Sequence, residues 1–264
     1  MAIHKLTSIN PAAVIGADVE IGPFTTIDAN VEIGDGCKIG SNVTILSGAR
    51  IGNGVTIFPG AVVSAIPQDL KFRGEETTAV IGDNTVLREC VTVNRGTAAK
   101  GTTIVGSNCL IMAYSHVAHD CKVGNNVIIS NASQLAGEVE VDDFAIIGGG
   151  SLIHQFCHIG SYIMLQGGAL VNKDIPPFIR AAREPISYTG INTIGLRRRG
   201  FSSEAVDVIK ETYRILYFGG YPTVADVLEV IRQQVPATPE RDAIIDFVAH
   251  SERGILRGYA GADN

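Results

Sequence analysis

The amino-acid sequence predicts a mainly-β protein, a parallel β-helix of hexapeptide repeats followed by a small C-terminal α-helical domain. Three observations carry this reading. An aliphatic residue returns every six positions through most of the chain up to Val171. The residue two places before it is small or β-branched, and the period becomes helical after Ser202.

The ladder starts at Ile15 and steps through Ile21, Ile27, Ile33, Ile39, Ile45, Ile51 and Ile57 to Val63. It returns in phase at Ile81, Leu87 and Val93, then runs unbroken from Val105 to Val171. Because side chains on a strand alternate, the aliphatic and the residue two before it share the inward face. The residue between them points out. Glycine often follows the aliphatic, as in "IGDGCK" and "IGNGVT", and is expected to supply turn conformations that a Cβ resists. In the hexapeptide-repeat proteins that this pattern resembles, three repeats close one triangular coil of 18 residues.

Two stretches cannot be core: "AIPQDLKFRGEETT" (about 65–78) and "NRGTAAKGTT" (94–103). The phase survives both, so they read as loops extruded from the coils, the usual place for binding residues in a repeat fold. After Val171 "KDIPPFIRAAREP" is a proline-marked exit. "SSEAVDVIKETYRILYFGG", "TVADVLEVIRQQV" and "PERDAIIDFVAHSERG" read as amphipathic helices. The expected organisation is a β-helix over 1–190 and a helical domain over 191–264.

Composition excludes several function classes. With 21 Lys and Arg against 27 Asp and Glu, the net charge is −6, against a general nucleic-acid footprint. The start "MAIHKLTSIN" has no apolar leader, and no apolar run approaches a membrane span, so a cytoplasmic protein is expected. Five cysteines without CxxC spacing suggest neither disulfides nor a zinc ribbon, and Cys37, Cys109, Cys121 and Cys157 fall at the small inward position.

The same register places the histidines. His116 lies between inward Ser115 and Val117 and points out; His119 falls at a corner; His154 and His158 also face outward. Adding 18 to His119 gives Gly137, and again gives Gln155, so these three stack at coil spacing. Gly137 leaves bare backbone, with an N–H, beside a potential base. A base next to an oxyanion donor is what acyl transfer needs.

At this point the chain resembles a known family. "QDLKFRGE" (68–75), "NRGT" (94–97), "SHVAHDC" (115–121), "LAGEVEVDDFAIIGG" (135–149), "HQF" (154–156), "DIPPF" (174–178) and "GLRRRGF" (195–201) are similar to the UDP-N-acetylglucosamine O-acyltransferases of lipid A biosynthesis. The resemblance covers nearly the whole chain. It implies a left-handed coil and a homotrimer with active sites between subunits. It implies transfer of an (R)-3-hydroxyacyl group from acyl carrier protein to the 3-hydroxyl of UDP-N-acetylglucosamine. No metal and no resident cofactor are implied, since phosphopantetheine arrives on the carrier.

The resemblance assigns roles by position. His119 is the general base, Asp120 its orienting partner, and the Gly137 N–H the oxyanion donor. Gln68, Asp69 and Lys71, with His116, Glu138, His154 and Gln155, would hold the sugar nucleotide. Asn192, Arg198 and Arg199 would meet the phosphopantetheine arm or phosphates. Three positions depart from the family's pattern: Glu138, where histidine is commonest; Ile194, where a glutamate is often found; and Pro185, where some members have histidine. Glu138 leaves a 3-amino sugar nucleotide as an alternative acceptor. A metal-dependent hydratase using His116, His119 and His154 is the alternative outside acyl transfer. The related N-acyltransferase would carry a further domain ahead of repeats that begin here by Ile15.

Overall fold

The computed structural model describes residues 2–258. Its body is a left-handed parallel β-helix of triangular section. Among the described residues the three faces carry twelve, nine and eight strands, termed here the first, second and third faces. The chain visits them in that order, one short strand per face, and returns to pair in parallel with the coil below.

Most strands of the coil are two-residue rungs with one residue in and one out. At Glu32–Ile33 the glutamate is exposed and the isoleucine buried. Stacking repeats that contrast. On the third face the inward column Ile33, Ile51, Ile81, Val105, Val123, Val141, Ile159 is nowhere more than 5% exposed. Each such side chain contributes about 1.5–3 kcal/mol of burial, and the inward columns of the other two faces complete the core. The four inward cysteines are buried as expected. Three of them send the thiol to a carbonyl 15 residues on: Cys37 to Gly52, Cys109 to Gly124 and Cys121 to Ala136, each at 3.1 Å.

Two features differ from the sequence reading. The ladder begins earlier, with Ala2–Ile3 and Ser8–Ile9 already paired. And glycine after the aliphatic does not serve a left-handed turn. A Cβ on Gly34 would lie 2.7 Å from the Gly52 carbonyl carbon of the next coil, so close approach is the reason. The left-handed position comes two residues later. Glycine fills it at Gly36, but asparagine, aspartate and aromatic residues fill it at many corners, among them Asn42, Asp120 and Phe144.

Both loops leave from one edge. The first, residues 66–77, joins Val62–Ala65 of the second face to Thr78–Ile81 of the third. The second, residues 95–101, joins Thr92–Asn94 to Thr102–Val105 in the same way. Partners elsewhere in the coil stand 18 residues apart, as Glu20 and Lys38 do, until its last turn, where Met164 meets Arg180 at a spacing of 16. Across the first loop Ala79 pairs with Ala49, 30 apart, and across the second Thr78 pairs with Thr102, 24 apart. The loops therefore add whole hexapeptides and leave the phase intact.

Beyond the coil an antiparallel hairpin, Ile179–Ala182 with Ser187–Ile191, extends the first face. The proline-rich exit had shown no strand signal. Among the described residues four helices follow: α1 (Thr193–Arg198), α2 (Ser203–Phe218), α3 (Val224–Gln234) and α4 (Pro239–His250). The last three match the helices expected from the sequence. Ser202, Thr223 and Thr238 cap them, each accepting a backbone N–H of the first turn. The chain then returns to the sheet, where Arg257–Gly258 pairs beside Ser187–Ile191. Asp174 ties this end down: its carboxylate accepts from the His158 N–H and the Ser251 hydroxyl.

Candidate active site

His119 sits where the second face turns into the third, between His116–Val117 and Lys122–Val123. The loops leave at this same edge, one and two coils below. Its Nδ1 lies 2.9 Å from Asp120 Oδ2. Asp120 follows in the left-handed conformation, φ +61°, which swings its carboxylate back beside the imidazole. A carboxylate only accepts, so Nδ1 carries the hydrogen, and in the neutral ring the lone pair is on Nε2.

The carboxylate is fully buried, and burial alone would raise its affinity for a proton. The Thr97 hydroxyl at 2.6 Å, His119, and the Thr97 N–H at 2.9 Å outweigh that and hold it below the usual carboxylate range. The Lys100 N–H adds a fourth contact at 3.2 Å. The Asp120 N–H donates to the Thr103 hydroxyl at 2.8 Å. Thr97 and Lys100 belong to the second loop. Sequence reasoning missed their part because they lie 23 and 20 residues from Asp120, in a segment without period. The signal that pointed there was the loop's position one coil below.

Gly137 stacks on the imidazole as the 18-residue spacing requires. A Cβ there would stand 2.6 Å from both Cε1 and Nε2 of His119. The coil connections run Glu138 N–H to His119 carbonyl (3.0 Å) and Phe156 N–H to Gly137 carbonyl (3.2 Å). Among the described residues no hydrogen bond takes the Gly137 N–H itself. A half-buried base thus lies under bare backbone with a free donor.

His116 is on the outward side of the second face, half-buried, its Nδ1 2.7 Å from the Thr92 hydroxyl. Burial lowers its proton affinity; Thr92 opposes this weakly. His154 and Gln155 are exposed further up the edge, with His154 Nδ1 near the Gln155 carbonyl at 3.1 Å. Glu138 is on the edge directly after Gly137. Gln68, Asp69 and Lys71 lie on the first loop, where the Asp69 carboxylate accepts the Lys71 N–H and leaves that exposed side chain outside the turn.

Asn192, Arg198 and Arg199 are not gathered with these residues within one chain. They lie on the edge between the third and first faces. Asn192 caps α1 and donates to the Tyr162 carbonyl at 2.9 Å. The Arg199 guanidinium rests 4.4 Å over the Phe144 ring, which stacks on Tyr162. Arg198 is exposed beside it.

A hexapeptide coil carrying a buried carboxylate, an imidazole and an unobstructed backbone donor at one corner defines the acyltransferase class of this fold. Profiles for the bacterial transferase hexapeptide match residues 12–47, 30–65 and 102–137, and one for domain 2 of UDP N-acetylglucosamine O-acyltransferase matches 174–256. The acyl-[acyl-carrier-protein]–UDP-N-acetylglucosamine O-acyltransferase of Chlorobaculum tepidum is 61% identical over 248 residues, 94% of each chain. That of Stenotrophomonas maltophilia is 44% identical over 97% of each. A solved UDP-N-acetylglucosamine acyltransferase from Bacteroides fragilis superposes with a TM-score of 0.94 at 57% identity, covering 96% of this chain and 99% of the other. The chain belongs to the acyl-[acyl-carrier-protein]–UDP-N-acetylglucosamine O-acyltransferase family. This favours acyl transfer over the hydratase alternative.

Proposed function

We propose that this protein transfers an (R)-3-hydroxyacyl group from acyl carrier protein to the 3-hydroxyl of UDP-N-acetylglucosamine, the first step of lipid A biosynthesis, in the cytoplasm. The observation that carries the reading is the His119–Asp120 pair held under Gly137. A sugar hydroxyl is a poor nucleophile, and a neutral imidazole with Nε2 free takes its proton as the oxygen attacks. The thioester brings its own activation, so attack is direct and needs neither a covalent enzyme intermediate nor a metal. Charge that develops on the carbonyl oxygen is met by the Gly137 N–H. Collapse expels the carrier's thiolate, which takes the proton from the imidazolium, leaving His119 neutral.

The sugar nucleotide is held by Gln68, Asp69, Lys71, His116, Glu138, His154 and Gln155, which lie on one edge, on the loop that leaves it or, for His116, on the adjoining second face. Asn192, Arg198 and Arg199 receive the phosphopantetheine arm or phosphates. Their place on another edge supports a site completed between copies in a homotrimer. The first face supports such packing, since its outward column of Val86, Leu110, Ile128, Ile146 and Met164 is apolar.

The test is acyl transfer by His119→Ala, with sedimentation to confirm assembly. The expected result is a trimer with almost no turnover. Near wild-type turnover rejects His119 as the base. A panel of acyl-carrier chain lengths against UDP-N-acetylglucosamine and its 3-amino analogue then fixes acceptor and chain length. Preference for the amino sugar replaces the O-acyl reading.

A further inference from the structure

The second loop does more than reach outward: it supplies three of the four donors that surround the Asp120 carboxylate. Oδ1 accepts the Thr97 and Lys100 N–H groups at 2.9 and 3.2 Å. Oδ2 is shared, accepting the Thr97 hydroxyl at 2.6 Å and His119 Nδ1 at 2.9 Å. The direction of the shorter bond is fixed. The Thr97 hydroxyl oxygen accepts the Ala99 N–H at 3.1 Å, so its own hydrogen is left to point at the carboxylate. Short hydroxyl–carboxylate bonds are charge-assisted and draw electron density from the oxygen they meet. That oxygen is the one facing His119.

We propose that Thr97 is a positioning residue for the acyl transfer, its hydroxyl setting how strongly Asp120 draws a proton onto His119. The proposal rests on the reading of His119 as general base. A bare buried carboxylate at 2.9 Å stabilises the imidazolium over the neutral ring that must accept the proton. A carboxylate already satisfied by Thr97 still fixes the tautomer yet favours the imidazolium less. Other charged and titratable groups around the pair are Lys100, paired with Glu140 at 3.0 Å, Glu138 on the next coil, His116 on the second face, and the inward Cys121 thiol of the same coil. None of them is altered by exchange of the Thr97 hydroxyl for a methyl group.

The experiment uses the full-length protein as Thr97→Val, which keeps the shape and removes the donor. Thr97→Ser restores a hydroxyl, and Thr97→Ala guards against a Val-specific defect. Two quantities are read: the acid limb of kcat/KM for acyl transfer, and the titration midpoint of the His119 imidazole by NMR on histidine-labelled protein. The resonance is assigned by its loss in His119→Asn. In Thr97→Val and Thr97→Ala both midpoints move upward by about half a unit or more, and Thr97→Ser returns both toward wild type. A fall in kcat with an unmoved imidazole midpoint overturns the proposal and leaves Thr97 a structural prop. So does a Thr97→Ser that behaves like Thr97→Val. An imidazole midpoint that moves while the acid limb stays fixed retains Thr97 as the tuning group but rejects His119 as the base, so the two failures are distinguishable.

Discussion

Adding one methyl group at Gly137 separates geometry from stability at the site. The Gly137→Ala Cβ would stand 2.6 Å from Cε1 and Nε2 of His119 and 3.3 Å from Nδ1. Ordinary contact begins near 3.4 Å, so the ring must retreat by about 0.8 Å. It cannot do so freely, because Nδ1 is held 2.9 Å from an oxygen of a fully buried carboxylate. A retreat of that size loosens the bond or turns Nε2 away from its target. Misplacement by about 1 Å costs on the order of 100-fold in rate, or about 2.7 kcal/mol of transition-state stabilisation. Gly137 is not in the left-handed region, so alanine adds no backbone strain there. The assay is kcat/KM with hydroxyacyl carrier protein and UDP-N-acetylglucosamine, beside a thermal melt. A roughly 100-fold loss is expected, with a melting temperature within a few degrees of wild type. In the double variant with His119→Ala the two losses should not add, since they act through one ring. A Gly137→Ala enzyme within about threefold of wild type, or fully additive losses, refutes the steric argument.

Other outcomes follow from the same contacts. Asp120→Asn presents an amide N–H₂ to a pocket of donors and should cost about 2–4 kcal/mol at neutral pH. Because burial is outweighed and the folded carboxyl lies below its unfolded value, this stabilisation is present above about pH 4 and lost on further acidification. The wild-type and Asp120→Asn unfolding curves should therefore converge toward pH 3. His158 has the opposite sign. Burial lowers its proton affinity, but Asp142 at 3.0 Å outweighs burial and raises it. Its contribution is full below about pH 6.5 and disappears as pH rises through the folded value, so Asp142→Asn should lower the melting temperature at pH 5.5 but not at pH 9. With both side chains more than a third exposed, the effect should stay below about 1 kcal/mol. Finally, burial pushes the Cys121 thiol up to about 12 and that of Cys157 to about 11. Alkylation of the native protein, mapped by mass spectrometry, should find Cys90, the one cysteine not fully buried, and spare the other four.

The fold was legible because a period of six dictates both the rung and the direction of every side chain on it. That register alone put His119 outside the core and Gly137 above it, before any distance was known. What it could not show lies where the period is absent. Thr97 meets Asp120 only because a loop folds back, and no spacing rule links residues 23 apart across a loop. The hairpin at 179–191 went unseen because prolines and charged residues mask its alternation. The separation of Asn192 and Arg199 from His119 needed the coil's three edges, which become distinct only once each corner is assigned to a face. Glycine's role is hidden for a related reason: close approach between coils leaves no local mark in the sequence that separates it from a turn.

The whole-hexapeptide lengths of the two loops bear on how such an enzyme can vary. The solenoid behaves like a spiral staircase in which landings have been widened without disturbing the steps. An arm that departs and returns at the same corner changes neither the bearing nor the height of anything above it. The reach of the Asp69–Lys71 arm and the elevation of His119 are thus independent settings. One can be rebuilt while the other stays where it is.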